Sequence, residues 1–117
     1  MDVNTLIQEL EEVTGLDVSP DIYTGQADSY IVYAYNDERP VFWGDDKVLA
    51  DTAIIQINLY TPPKSDYMDL KHQIRDYLES VGIVSDIQSW LDTYTSRNNH
   101  EAAVRHTAFT VEITKER

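Results

Sequence analysis

The side chains able to do chemistry are few and scattered. The histidines are His72, His100 and His106, and none stands at a spacing that forms a metal site or a nucleophile–base–acid triad. His100 precedes Glu101 and His106 follows Arg105, so either ring has a charged neighbour in sequence. A single histidine on a turn or strand is more often surface or packing. Asp37-Glu38 and Asp45-Asp46 are adjacent acids that offer oxygen ligands, but they lack the alternating spacing of a dedicated calcium loop and read as solvated turns. No HExxH, GxSxG or phosphate-loop pattern occurs. The absence of cysteine excludes thiolate chemistry, disulfides and sulfur-ligated metals. Neither a catalytic residue nor a cofactor can be named from these residues. A small metal enzyme built on Asp45, Asp46 and a histidine would need those groups to converge in space.

The elements that would position any site must fit within one domain, because 117 residues are too few for two ordinary ones. A hydrophobic fraction of 42% supports a core of its own and argues against disorder. The net charge of −12 repels phosphate backbones and disfavours direct nucleic-acid contact. The first residues lack a basic segment followed by an apolar run, and apolar runs are far shorter than a bilayer span. The expectation is a protein without signal peptide or membrane contact, made in the cytoplasm.

Val3, Leu6, Ile7, Leu10 and Val13 recur at helical spacing, with Asp2 or Asn4 as cap and Gly15 as stop. Leu16 to Gly25 reads as a connection with a short extended piece around Ile22 and Tyr23. Ser29 to Asn36 reads as a strand, which Asn36-Asp37-Glu38-Arg39-Pro40 should break as a turn. Val48 to Tyr60 alternates most clearly, and the face carrying Ile55, Ile57 and Leu59 should meet the core. After Pro62-Pro63, Ser65 can cap a second helix with the stripe Tyr67, Leu70, Ile74, Tyr77, Leu78 and Val81, stopped at Gly82. Strands over 83–96 and 102–114 follow, joined by a polar turn at 96–100, with Phe109, Val111 and Ile113 on one face. The expected architecture is α+β in the order α-β-β-α-β-β: one antiparallel sheet of about four strands with two helices on one face.

Tyr30, Tyr33 and Tyr35, with Phe42 and Trp43 after them, exceed what one half-buried sheet face needs, since alternation sends bulky rings to both faces. Tyrosine and tryptophan are enriched at protein interfaces, so a partner covering the second face is one reading.

The stretch Tyr33-Ala34-Tyr35-Asn36-Asp37-Glu38-Arg39-Pro40, then Phe42, Asp45-Asp46, Thr52 to Tyr60 and a helix after Ser65, resembles the tail-terminator or tail-completion (tail-to-head joining) family of tailed phages and prophages. The resemblance is concentrated in Tyr33 to Tyr60, extends more weakly through the second helix to Gly82, and so covers about half of the chain. It implies a structural virion protein at the head–tail junction. Such a subunit forms a ring with itself, a hexamer when assembled, on the major tail tube protein, stops tube growth and meets the head connector or stopper protein. It implies no cofactor and no reaction. A closed ring requires one patch of each subunit to meet a different patch of the next. Arg39, Phe42, Trp43, Asp45 and Asp46 are the expected interface residues, in a loop from Arg39 to Asp46 beside an exposed sheet edge. The competing expectation is an acidic inhibitor or DNA mimic that binds a basic partner through a salt-sensitive stripe of acids.

Overall fold

The computed structural model describes residues 2–25, 27–44, 47–64, 66–95 and 101–116, with backbone alone at 39–44, 47–49, 94–95, 101–102 and 115–116. Helix α1 spans Val3–Thr14. Asp2 is its cap: its carboxylate accepts the Thr5 N–H at 2.8 Å, which satisfies one of the donors a helix start leaves unpaired. Gly15 closes the helix in the left-handed region (φ 69°) and returns its N–H to the Glu11 carbonyl. Helix α2 spans Tyr67–Val81 and is capped by Asp66, which accepts the Met68 N–H, rather than by Ser65, which lies outside the described residues.

Five strands make the sheet: β1 (Val18–Pro20), β2 (Tyr30–Gly44), β3 (Lys47–Thr61), β4 (Ile83–Thr95) and β5 (Glu101–Glu116), in the spatial order β1-β2-β3-β5-β4. The α+β class agrees with the sequence reading, but the sheet is mixed and has a fifth strand. β1 runs parallel to β2 through Val18↔Ile31, Ser19↔Val32 and Pro20↔Tyr33, while the other four strands pair antiparallel. The chain order is therefore α-β-β-β-α-β-β, and the extended piece lies at Val18–Pro20 instead of around Ile22 and Tyr23.

The expected turn at Asn36–Pro40 is also corrected, because β2 runs through it to Gly44. Register shifts between Tyr35 and Asp37, between Pro40 and Phe42, and between Phe42 and Trp43 absorb the residues that do not fit a regular ladder. Since β1 reaches only to Tyr33, the described part of β2 beyond it is an edge, where Pro40 can do without an N–H.

Both helices lie against one face of the sheet. Leu6, Ile7 and Leu10 of α1 and Ile74 and Leu78 of α2 share a single cluster with Ile31, Ile55, Ile57, Leu59, Phe109, Val111 and Ile113. Full burial of a side chain such as Phe109 contributes about 1.5–3 kcal/mol. Gly82 joins α2 to β4 in extended backbone, and a Cβ there would run into the Glu112 carbonyl oxygen, so the helix end and β5 approach at backbone distance.

The molecule measures 61 × 25 × 22 Å, and its radius of gyration of 16.1 Å exceeds the roughly 13 Å of a compact domain this long. Two hairpins that outrun the central sheet in opposite directions account for the length. At one end β2 and β3 continue past Ala50↔Glu116, the last pair of β3 with β5, to Trp43↔Val48 and Gly44↔Lys47. At the other end β4 and β5 continue past Thr61↔Arg105 from Asp92↔Val104 to Thr95↔Glu101.

Candidate functional site

Alternation along each strand decides what the helix-free face carries. Leu59, Phe109 and Val111 point to the helices, so their neighbours Tyr60, Ala108 and His106 belong to the opposite side. Register then sets Tyr30, Tyr60, His106 and Trp90 side by side in one row across β2, β3, β5 and β4. Their rings stack. Centroids lie 5.1 Å apart for Tyr30–Tyr60, 4.4 Å for Tyr60–His106 and 4.2 Å for the tilted Trp90–His106 pair. Tyr23 extends the row at 4.1 Å from Tyr30. It is held by donating to Asp17 (3.1 Å) and accepting the Ala27 N–H (3.0 Å), and a side chain at Gly25 would strike its ring. Five rings thus cross the whole sheet, each pair worth roughly 0.5–1.5 kcal/mol beyond the area it buries.

His106 is the pivot of the row. Its Nε2 lies 2.8 Å from Asn58 Oδ1 and its Nδ1 lies 3.2 Å from Asp92 Oδ2. Asn58 is buried and donates its amide to the Val32 carbonyl at 3.3 Å, which fixes its oxygen toward the imidazole. The neutral Nε2–H tautomer satisfies Asn58, and the doubly protonated ring satisfies Asp92 as well. Asp92 also accepts the Trp90 indole N–H at 2.6 Å, so one carboxylate orients both rings. The Tyr60 hydroxyl titrates above its ordinary value, first because burial disfavours the phenolate and then because Tyr30 and Asp92 repel it. It stays an O–H donor at physiological pH.

Beside the row opens a cleft of about 510 Å³ lined by Ala27, Asp28, Tyr30, Tyr60, Pro62, Pro63, Ala103 and Val104. Register adds Asp86 (opposite Thr110), Asp92 and Glu112 to the same face. Of the lysines and arginines with described side chains, Lys71 and Arg75 are on α2, Arg105 is on the helix side with its guanidinium 5.0 Å from the Tyr67 ring, and Lys64 directly follows the cleft residue Pro63 in the turn before α2. Among the described side chains, the strands of the helix-free face carry acids, aromatics and His106, and no lysine or arginine.

The interface residues expected from sequence lie apart from this row. Arg39, Phe42 and Trp43 belong to β2, opposite Thr52, Ala50 and Val48; Thr52 and Ala50 still pair with β5, so of the three only Trp43 stands in the hairpin that leaves the central sheet. The loop expected from Arg39 onward is thus strand as far as Gly44, while Asp45 and Asp46 lie outside the described residues. Among the described residues no three His, Asp or Glu side chains converge into a metal site. The ring row escaped sequence reading because Tyr30, Tyr60, Trp90 and His106 come from four strands far apart in the chain. Its one local signal was the surplus of bulky residues on both strand faces.

A scan of known protein families finds no match to this chain, and no curated protein shows significant similarity to it.

Proposed function

We propose that this chain is a structural subunit of the head–tail junction of a tailed phage or prophage. It assembles with copies of itself into a ring on the tail tube, ends tube growth and joins the tail to the head connector, by binding and without a reaction. The observation that supports this reading is the pair of hairpins leaving opposite ends of a small helix-backed sheet. A closed ring needs each subunit to offer two different patches to its two neighbours, and two arms at opposite ends supply chain that reaches beyond the subunit's own core. Trp43 lies in one of those arms, with Phe42 at its base, and the stretch from Arg39 onward is where the sequence reading expects contacts between subunits. None of the described helices is long and apolar enough to cross a membrane.

The deciding experiment is electron microscopy of a lysate from phage or induced prophage in which this gene is disrupted, complemented in parallel by Arg39→Glu and Trp43→Ala. Filled heads beside unattached or overlong tails are expected without the gene, and failed joining is expected with the two variants. Normal infectious particles from the disrupted strain would sink the proposal and bring the acidic inhibitor forward.

A further inference from the structure

We infer that the helix-free face is a docking surface for an arginine- or lysine-bearing, extended segment of a partner protein, seated in the cleft beside the ring row. Three observations select that occupant. The cleft, at about 510 Å³, falls in the range that encloses a drug-sized molecule and so takes a few residues of peptide instead of one side chain. Its lining includes Tyr30 and Tyr60, whose ring faces are stacked within the row, with Pro62, Pro63, Ala103 and Val104, a largely apolar wall that suits the aliphatic stem of a long side chain. Carboxylates stand at it and beside it, Asp28 in its lining and Asp92 half-exposed next to Trp90, with Asp86 and Glu112 further along the face; the one described lysine nearby in sequence is Lys64, which follows Pro63.

Trp90 keeps 36% of its surface exposed while its indole N–H is already held by Asp92. Its ring is therefore fixed and partly uncovered, ready to take a guanidinium or ammonium group. An anionic or phosphate-bearing partner would be repelled by the carboxylates of Asp28, Asp86, Asp92 and Glu112. The inference concerns the free chain and holds or fails independently of the ring reading.

The test uses the full chain, labelled with nitrogen-15, and two ten-residue probes: one alternating Arg with Gly and Pro, the other with each Arg replaced by Gln. The Arg probe should bind and shift the Trp90 indole N–H signal, and its affinity should weaken about five-fold or more between 50 and 300 mM salt as the charges are screened. Asp28→Asn combined with Asp86→Asn should weaken it about ten-fold, whereas Glu11→Gln combined with Glu12→Gln, an equal loss of charge on α1, should leave it unchanged. Equal binding of the Gln probe, an unmoved Trp90 indole, or equal effects of the two double variants would each overturn the inference. So would self-association that covers the face and competes with the probe, since the occupant would then be a second copy of the chain.

Discussion

Replacing His106 with alanine tests whether the ring row is a structural element of the sheet. The substitution removes two cross-strand ring contacts, with Tyr60 and Trp90, together worth about 1 kcal/mol. It also leaves Asn58 Oδ1, in a residue only 8% exposed, without its partner, a loss of about 1–3 kcal/mol. The Asp92 contact adds little, because its carboxylate is half in water. The sum is about 3 kcal/mol, a large share of the roughly 5–15 kcal/mol that holds a domain together. With a urea dependence near 1.5 kcal/mol per molar, the unfolding midpoint should fall by about 2 M. His106→Phe keeps the stack and loses only the polar contacts, so its midpoint should fall less, by about 1 M. Asn58→Leu introduced into that variant should restore part of the loss by removing the orphaned amide. A shift under about 0.3 M for His106→Ala, or equal shifts for alanine and phenylalanine, would refute the assignment of energy to stacking and to Asn58.

Three further outcomes follow from other contacts of the fold. Gly82→Ala should destabilise by about 2 kcal/mol or more in the same assay, since its Cβ meets the Glu112 carbonyl oxygen and backbone must move. Tyr77→Phe deletes the 2.6 Å bond to the Glu9 carboxylate that ties α2 to α1, and should cost about 1–2 kcal/mol, the lower part of the range for a bond to a charged group because the pair is only part-buried. Tyr77 and Tyr60 both titrate above the ordinary phenol value, chiefly through burial, so the folded chain holds these protons more tightly than the unfolded one. Their contribution is complete below about pH 10 and is lost as pH rises beyond it, and thermal melts should therefore fall steeply above that point. Tyr77→Phe should make that fall shallower.

Both helices were legible because their apolar positions repeat at the helical period and are bounded by Asp2, Gly15 and Gly82. β3 and β5 were legible because Ile55, Ile57 and Leu59, and Phe109, Val111 and Ile113, alternate with less buried neighbours. β1 was not, since three residues paired in parallel leave no periodic trace. Asn36 to Pro40 carries turn chemistry that the structure uses as bulges on an edge strand, and residue types alone do not separate a bulge from a turn. Of the candidate face, the excess of aromatics was visible but its order was not. His106 looks solitary in sequence because Asn58 is 48 residues away and Asp92 is 14.

The two hairpin arms have a mechanical consequence. A pull applied between their tips runs along the strands and crosses from β3 to β5, which are joined by register pairs from Ala50↔Glu116 to Thr61↔Arg105. Hydrogen bonds of an antiparallel ladder lie perpendicular to that direction, so they bear the load together in shear instead of opening one after another. A subunit strained end to end in this way stretches little before the whole ladder must give, which makes the sheet a stiff tie between whatever its two arms grip.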